Sequence, residues 1–96
     1  MGISFTLKKL SDREIRIVIN DQDKHSLPNL LAKLALKKPG VTFAGYIIEH
    51  PVVTYPELVI MTDGSRSPLE VLKEVLKEVK TMAQEFVEEL DKALTK

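Results

Sequence analysis

An apolar seam along the last third of the chain is the feature that most constrains the fold. From Leu69 onward, apolar residues recur alternately three and four positions apart, a heptad spacing that keeps one side of an α-helix apolar. The seam comprises Leu69, Leu72, Leu76, Val79, Ala83, Phe86, Leu90 and Ala93. Ser67-Pro68-Leu69-Glu70 supplies an N-cap, a proline at the first helical position and the glutamate of a capping box. The pattern predicts one long helix over about residues 67–94.

This helix is too long for the domain that the rest of the chain can build. It would extend about 40 Å at 1.5 Å per residue, whereas a compact domain of this length has a radius of gyration of about 13 Å. We therefore expect the helix to project beyond its own sheet while its seam continues to Leu90 and Leu94. The first half of the seam is best explained as core. Beyond about residue 82 a partner protein is the better explanation, because monomers rarely expose a contiguous apolar patch.

The preceding residues alternate between strand-like and helix-like periodicity. Apolar residues alternate with polar ones over about 3–9 and 14–20, which predicts two half-buried strands. A helix with an apolar face follows, beginning near Ser26 as the N-cap and ending before Pro39-Gly40. Two further strands are predicted over about 41–49 and 57–62. In the first of these, the residues expected to share one face are Val41, Phe43, Gly45 and Ile47.

The element order is therefore ββαββα, which predicts an α+β fold: a four-stranded, mainly antiparallel sheet with two helices on one face. The chain has 96 residues, 44% of them hydrophobic and 29% charged, as is usual for a single globular domain. We expect one domain over residues 1–96.

No pattern in the sequence supports an active site, a cofactor or a metal. The chain has no cysteine, and its two histidines, His25 and His50, have no partner at ligand spacing. Asp21 and Asp23 resemble the start of a calcium loop, but the sixth position of that loop is serine rather than glycine. Lys+Arg and Asp+Glu both number 14, which argues against a dominant nucleic-acid role because phosphate binding favours a basic excess.

Three segments, correctly ordered and spaced, resemble the family of subunit L of archaeal RNA polymerase, the small alpha-like subunit. The first is Asp23-Lys24-His25-Ser26-Leu27-Pro28-Asn29-Leu30-Leu31, where the family has an acidic-His-Thr-Leu-x-Asn-Leu motif. The second is Val41-Thr42-Phe43-Ala44-Gly45-Tyr46 followed by His50-Pro51, and the third is Thr62-Asp63-Gly64 before the long helix. Lys24, Ser26 and Pro28 depart from the usual family residues. The resemblance extends over nearly the whole chain.

The resemblance implies an alpha-like dimerisation fold and a non-catalytic role in the assembly of DNA-directed RNA polymerase. The implied partner is the larger alpha-like polymerase subunit. The pair would be the platform for the large catalytic subunits, to which the catalytic magnesium belongs. An interface role at the first helix is carried over from the family motif, and geometry adds further positions on the two helices. The expected partner interface is Leu27, Asn29, Leu30, Leu31, Leu34, Met82, Phe86 and Leu90.

Two other functions stay open from the sequence. One is a free-standing homodimeric binding or regulatory domain, with helices paired about a two-fold axis. The other, more remote, is an independent small enzyme. Co-purification would separate the polymerase role from the homodimer, because a polymerase component brings a larger partner and a homodimer brings only itself. With no apolar run of the roughly 20 residues that a membrane helix needs and no cysteine, we expect a cytoplasmic protein without membrane, small-molecule or specific nucleic-acid partners.

Overall fold

The computed structural model describes residues 4–20, 25–48 and 55–95. The order of elements is the predicted ββαββα. The elements are β1 (Ser4–Leu10), β2 (Glu14–Asn20), α1 (Ser26–Leu36), β3 (Val41–Ile47), β4 (Glu57–Thr62) and α2 (Pro68–Leu94). Each bound lies within about two residues of the sequence-based prediction, because strand alternation, Pro39-Gly40 and Pro68 are strong local signals.

The four strands form one sheet in the order β1-β2-β4-β3. Every described pairing is antiparallel. The chain builds the β1–β2 hairpin, crosses through α1 to the far edge, and returns with β4 to the middle of the sheet. The two edge strands are therefore β1 and β3.

The core lies between one face of the sheet and the two helices. On β2 the predicted alternation is confirmed, because Ile15, Ile17 and Ile19 are all buried. The other buried members come from β3, β4, α1 and α2: Ala44, Leu58, Ile60, Leu31, Ala32, Ala35, Val71, Leu72 and Val75. Both helices thus cover the same side of the sheet, as expected.

The prediction that Val41, Phe43, Gly45 and Ile47 share one face of β3 is confirmed for the last three and wrong for Val41. The pairing of β3 with β4 shifts between Val41 and Phe43, so that Val41 packs against the core while Ala44 is the buried residue. Phe43 and Ile47 instead lie on the opposite face and are exposed. The cause is a β-bulge, whose extra residue reverses the faces of the residues that follow it.

Both predicted side-chain caps are absent. The N-cap of α1 is His25 rather than Ser26, and its side chain forms no capping hydrogen bond. Ser67 is the N-cap of α2 and Pro68 occupies the first turn as predicted, but the Ser67 side chain makes no capping bond either. The capping box with Glu70 is therefore not formed. The first turn of α2 closes through the backbone, with the Val71 amide donating to the Ser67 carbonyl at 3.1 Å.

The turn between β4 and α2 is fixed by Thr62. Its buried hydroxyl donates to the Arg66 carbonyl at 2.8 Å and accepts from the Gly64 amide at 3.3 Å. Gly64 has φ +94°, a left-handed conformation that side chains disfavour. These contacts determine where α2 begins and hence its course across the sheet.

Candidate partner-binding surface

The second half of α2 leaves the protein's own core. Val75 is the last fully buried residue of the helix, and Leu76 and Val79 pack partly against the core. Every residue from Lys80 to Thr95 is exposed. We call residues 80–95 the α2 extension. It is the overhang that the heptad seam predicts.

An apolar stripe follows one side of the α2 extension. Met82, Phe86 and Leu90, four residues apart, are 48%, 69% and 46% exposed. Val87 and Leu94 widen the stripe and are also more than half exposed. Large side chains at this spacing lie one above another on a helix, so the extension presents a continuous apolar surface.

The short helix α1 contributes less to a free surface than the sequence suggests. Leu27, Leu30 and Leu34 are half-buried, and Asn29 is exposed. Leu31 is 0% exposed and belongs to the core. We therefore correct its predicted position: Leu31 points at the protein's own sheet, because the apolar face of α1 is the face that covers β3 and β4. The partner contacts of the other seven positions remain a prediction.

A groove joins the end of α1 to the start of the α2 extension. Its volume is about 510 Å³, and its lining includes Lys38, Thr81 and Met82. Lys38 forms an ion pair with Glu78 across the groove. This pair ties the segment after α1 to the last part of α2 that still contacts the core. Met82 is thus the interface candidate on α2 that lies closest to the body of the domain.

Three apolar residues of β1 are exposed on the same side of the sheet as the helices. Phe5, Leu7 and Leu10 are 45%, 57% and 48% exposed. They pair with the three core isoleucines of β2 and so share their face. α1 packs over β3 and β4, and α2 over β4 and β2, which leaves β1 open. Alternation predicts a shared face for Phe5 and Leu7, and the register shift between Leu7 and Lys9 brings Leu10 to the same face. That neither helix covers these side chains follows from the strand order.

Charged side chains concentrate on the other face of the sheet. The Glu14 carboxylate accepts hydrogen bonds from Lys9 Nζ, at 2.9 Å, and from Arg16 Nε. Arg16 also reaches Glu57 at 3.3 Å. Both hydrogen bonds lower the pKa of Glu14, the one from Lys9 more than the one from Arg16. The hydrogen bond with Glu14 in turn raises the pKa of Arg16. This network spans three strands on the side away from both helices.

The described part of the chain contains no arrangement suited to metal chemistry. Within residues 4–20, 25–48 and 55–95, no cluster of His, Asp or Glu is able to hold an ion. His25 lies with Nδ1 3.1 Å from the Tyr46 hydroxyl, which links the start of α1 to β3. His50, Asp21 and Asp23 fall outside the described residues. In the same ranges, neither helix combines the length and apolarity that crossing a bilayer requires.

Comparisons with known proteins show the family of this chain and its fold. Residues 14–89 match the sequence profile of the RNA polymerase Rpb3/Rpb11 dimerisation domain. RNA polymerase subunit Rpo11 of Methanocaldococcus jannaschii is 38% identical, over 82% of this chain and 87% of the relative. Rpo11 of Saccharolobus shibatae is 35% identical, over 92% and 94%. The crystal structure of RNA polymerase subunit L from Thermoplasma acidophilum has a TM-score of 0.78 at 20% identity, covering 96% of this chain and 89% of that one, and it confirms the fold.

The chain therefore belongs to the Rpb3/Rpb11 dimerisation domain family of RNA polymerase subunits. Within that family it is one of the small alpha-like subunits, an assembly subunit of DNA-directed RNA polymerase that associates with other polymerase subunits.

Proposed function

We propose that this protein pairs with the larger alpha-like polymerase subunit, and that the pair is the platform on which the large catalytic subunits assemble. The observation that carries the proposal is the α2 extension, which is exposed along its whole length and has an apolar stripe that does not pack on the core of this domain. The chain acts as one domain over residues 1–96, in the cytoplasm, and has no active site of its own.

The size of the apolar surface supports a stable pair. Complete burial of one large apolar side chain gains about 1.5–3 kcal/mol. Association costs on the order of 4–15 kcal/mol in lost translational and rotational freedom. The five large apolar side chains of the extension are already partly covered by their own helix, so their gain alone barely offsets that cost. The three exposed side chains of β1 supply the additional area that a permanent pair requires.

The two apolar surfaces also match in length. The α2 extension is about 24 Å long at 1.5 Å per residue, and β1 is about 23 Å long at 3.3 Å per residue. Around an approximate two-fold axis, the extension of this chain lies over the open sheet edge of the alpha-like partner. The partner's corresponding helix then covers Phe5, Leu7 and Leu10.

The decisive substitution is Phe86→Asp, because Phe86 is 69% exposed in the isolated chain. In a partner interface the new carboxylate would be forced out of water, which is strongly unfavourable. We expect near-native circular dichroism together with loss of the larger alpha-like subunit in a co-expression pull-down. The matched control is Gln84→Asp, which places the same charge about 200° around the helix from position 86 and should leave pairing intact.

Two other outcomes of the Phe86→Asp experiment would contradict the proposed contact, and one result with the wild-type chain would contradict the proposed partner. Retained pairing of the Phe86→Asp variant would remove Phe86 from the interface, and unfolding would return it to the core. If the wild-type chain captured only further copies of itself, the homodimeric alternative would replace the polymerase pair, because the same two surfaces are able to complement each other between identical chains.

A further inference from the structure

The two edges of the sheet are protected to different degrees. An edge strand exposes a row of unpaired backbone N–H and C=O groups, which natural proteins protect with charges, proline or bulges. β1 has Lys8 and Lys9 and a register shift between Leu7 and Lys9. β3 has the sequence Val-Thr-Phe-Ala-Gly-Tyr-Ile, with no charge and no proline. Its one register shift lies at its start, and pairing with β4 is regular from Phe43 to Ile47.

No described strand covers the outer edge of β3. Within residues 4–20, 25–48 and 55–95, β3 pairs with β4 alone. Five consecutive residues of β3 in regular pairing leave their outward backbone groups directed away from the sheet. Only an extended segment satisfies such a row of donors and acceptors in register.

The face of β3 away from the helices carries an apolar patch. Phe43 and Ile47 are 47% and 44% exposed. Gly45 lies between them, and the Phe43 ring lies across it: a Cβ at Gly45 would be 2.9 Å from Phe43 Cζ. Val59 pairs with Gly45 on the same face and is 1% exposed although no helix covers it. We call Phe43, Gly45, Ile47 and Val59 the β3 patch.

The charges nearest the β3 patch are mutually neutralised. On the neighbouring strands, Arg16 forms ion pairs with both Glu14 and Glu57. The patch therefore offers an incoming segment apolar side chains and a backbone edge, with no unpaired charge in this network to attract an acidic or basic one. An exposed apolar patch with a polar rim is typical of a protein contact.

We propose that the β3 edge receives an extended, uncharged segment of another polymerase subunit, which adds a fifth strand to the sheet and covers Phe43 and Ile47 with alternate apolar side chains. This inference rests on the proposed role in polymerase assembly. The segment belongs to a polymerase component other than the larger alpha-like partner, because the β3 patch faces away from α1, α2 and the β1 surface that the partner occupies.

Amide hydrogen exchange tests the added strand without any substitution. The wild-type chain is compared in three states: alone, paired with the larger alpha-like subunit, and in the complete polymerase. We expect the outward amides between Phe43 and Ile47 to exchange at similar rates in the first two states and at least roughly tenfold more slowly in the third, since a paired strand protects its amides. Unchanged exchange in the polymerase, or protection that already appears in the pair, would overturn the inference.

A charge on the β3 patch provides the second test. Ile47→Lys places an ammonium group where the segment's side chains pack, and Thr6→Lys places the same group on the same face of the other edge strand. We expect both variants to retain native circular dichroism and to pair with the larger alpha-like subunit. Only Ile47→Lys should lower incorporation into the complete polymerase severalfold.

Three results would overturn the inference about the β3 edge. None of them by itself contradicts the proposed assembly role of the chain. Equal incorporation of both variants would show that nothing packs on the β3 patch. Loss of the alpha-like pair in Ile47→Lys would assign the patch to that partner. Concentration-dependent self-association of the free chain, abolished by Ile47→Lys, would assign the β3 edge to a second copy. Failure of the proposed function itself has a different signature, since it leaves the wild-type chain without the larger alpha-like partner.

Discussion

Thr62 is the side chain on which the start of α2 depends. Thr62→Val keeps the shape but leaves the Arg66 carbonyl and the Gly64 amide without their hydroxyl partner. A hydrogen bond contributes about 0.5–1.5 kcal/mol net, so loss of both bonds should lower the free energy of unfolding by about 1–3 kcal/mol in urea denaturation. Ser67→Ala is the control. A capping box would make it cost about 1 kcal/mol, but Ser67 makes no capping bond, so a change within about 0.5 kcal/mol is expected.

Glu14 predicts a pH dependence of stability. Hydrogen bonds from Lys9 and then Arg16 lower the pKa of its carboxyl in the folded chain, while in the unfolded chain the pKa of a glutamate is about 4.3. A lowered folded-state pKa gives stability that is present above the unfolded value and is lost as pH falls through the folded value.

The corresponding variant is Glu14→Gln, which removes the charge and keeps the shape. We expect it to be less stable than the wild type near neutral pH. The difference should begin to shrink as pH falls below about 4.3, where the carboxyl of the unfolded wild-type chain takes up its proton, and should disappear once the folded carboxyl is protonated as well. Urea unfolding at several pH values measures this. A difference that stays constant across the range would show that the ion pairs with Lys9 and Arg16 do not form in solution.

At the scale of elements, α2 is one helix with two environments. Its first part contributes Val71, Leu72 and Val75 to the core, and the α2 extension contributes nothing to it. Within the described extension, the ion pair between Lys92 and Glu89, at 3.5 Å, is largely exposed, and such pairs add little to stability. The helix therefore supports the core at one end, and we propose that it serves association at the other.

Truncation after Thr81 separates these two roles. It retains the Lys38–Glu78 ion pair and every buried residue of α2. We expect cooperative unfolding with a free energy lower by about 1 kcal/mol or less, because only exposed positions are lost, together with complete loss of the larger alpha-like subunit in a pull-down. Loss of cooperative unfolding would mean that the extension supports the core after all.

At the scale of the whole molecule, the shape is that of a thin plate with a projecting arm. The extents are 49 × 36 × 17 Å and the radius of gyration is 15.0 Å, compared with about 13 Å for a compact domain of this size. One sheet with one layer of helices leaves the outer sheet face and β1 open. The partners proposed above would cover Phe5, Leu7 and Leu10 on β1 and Phe43 and Ile47 on the other face.

The isolated protein is accordingly expected to lack polymerase activity. Its formal net charge is zero, and its described residues contain no candidate metal cluster. With template, nucleotides and magnesium, the purified chain should synthesise no RNA, and in gel-shift titrations it should bind duplex DNA no more tightly than a non-specific protein. RNA synthesis by the pure chain would contradict the assembly role.

The sequence by itself determined the element order, the α+β class and the long helix with its overhang. These depend on local periodicity and on Pro39-Gly40 and Pro68, which act within a few residues. Only the tertiary structure decided the strand order, which opens β1 on the helix side, and the bulge that turns Phe43 outward and Ala44 inward. It also placed Leu31 in the core and left Ser67 without its cap. Alternation defines two faces of a strand and periodicity defines one side of a helix, but which face is covered depends on pairing between residues distant in sequence.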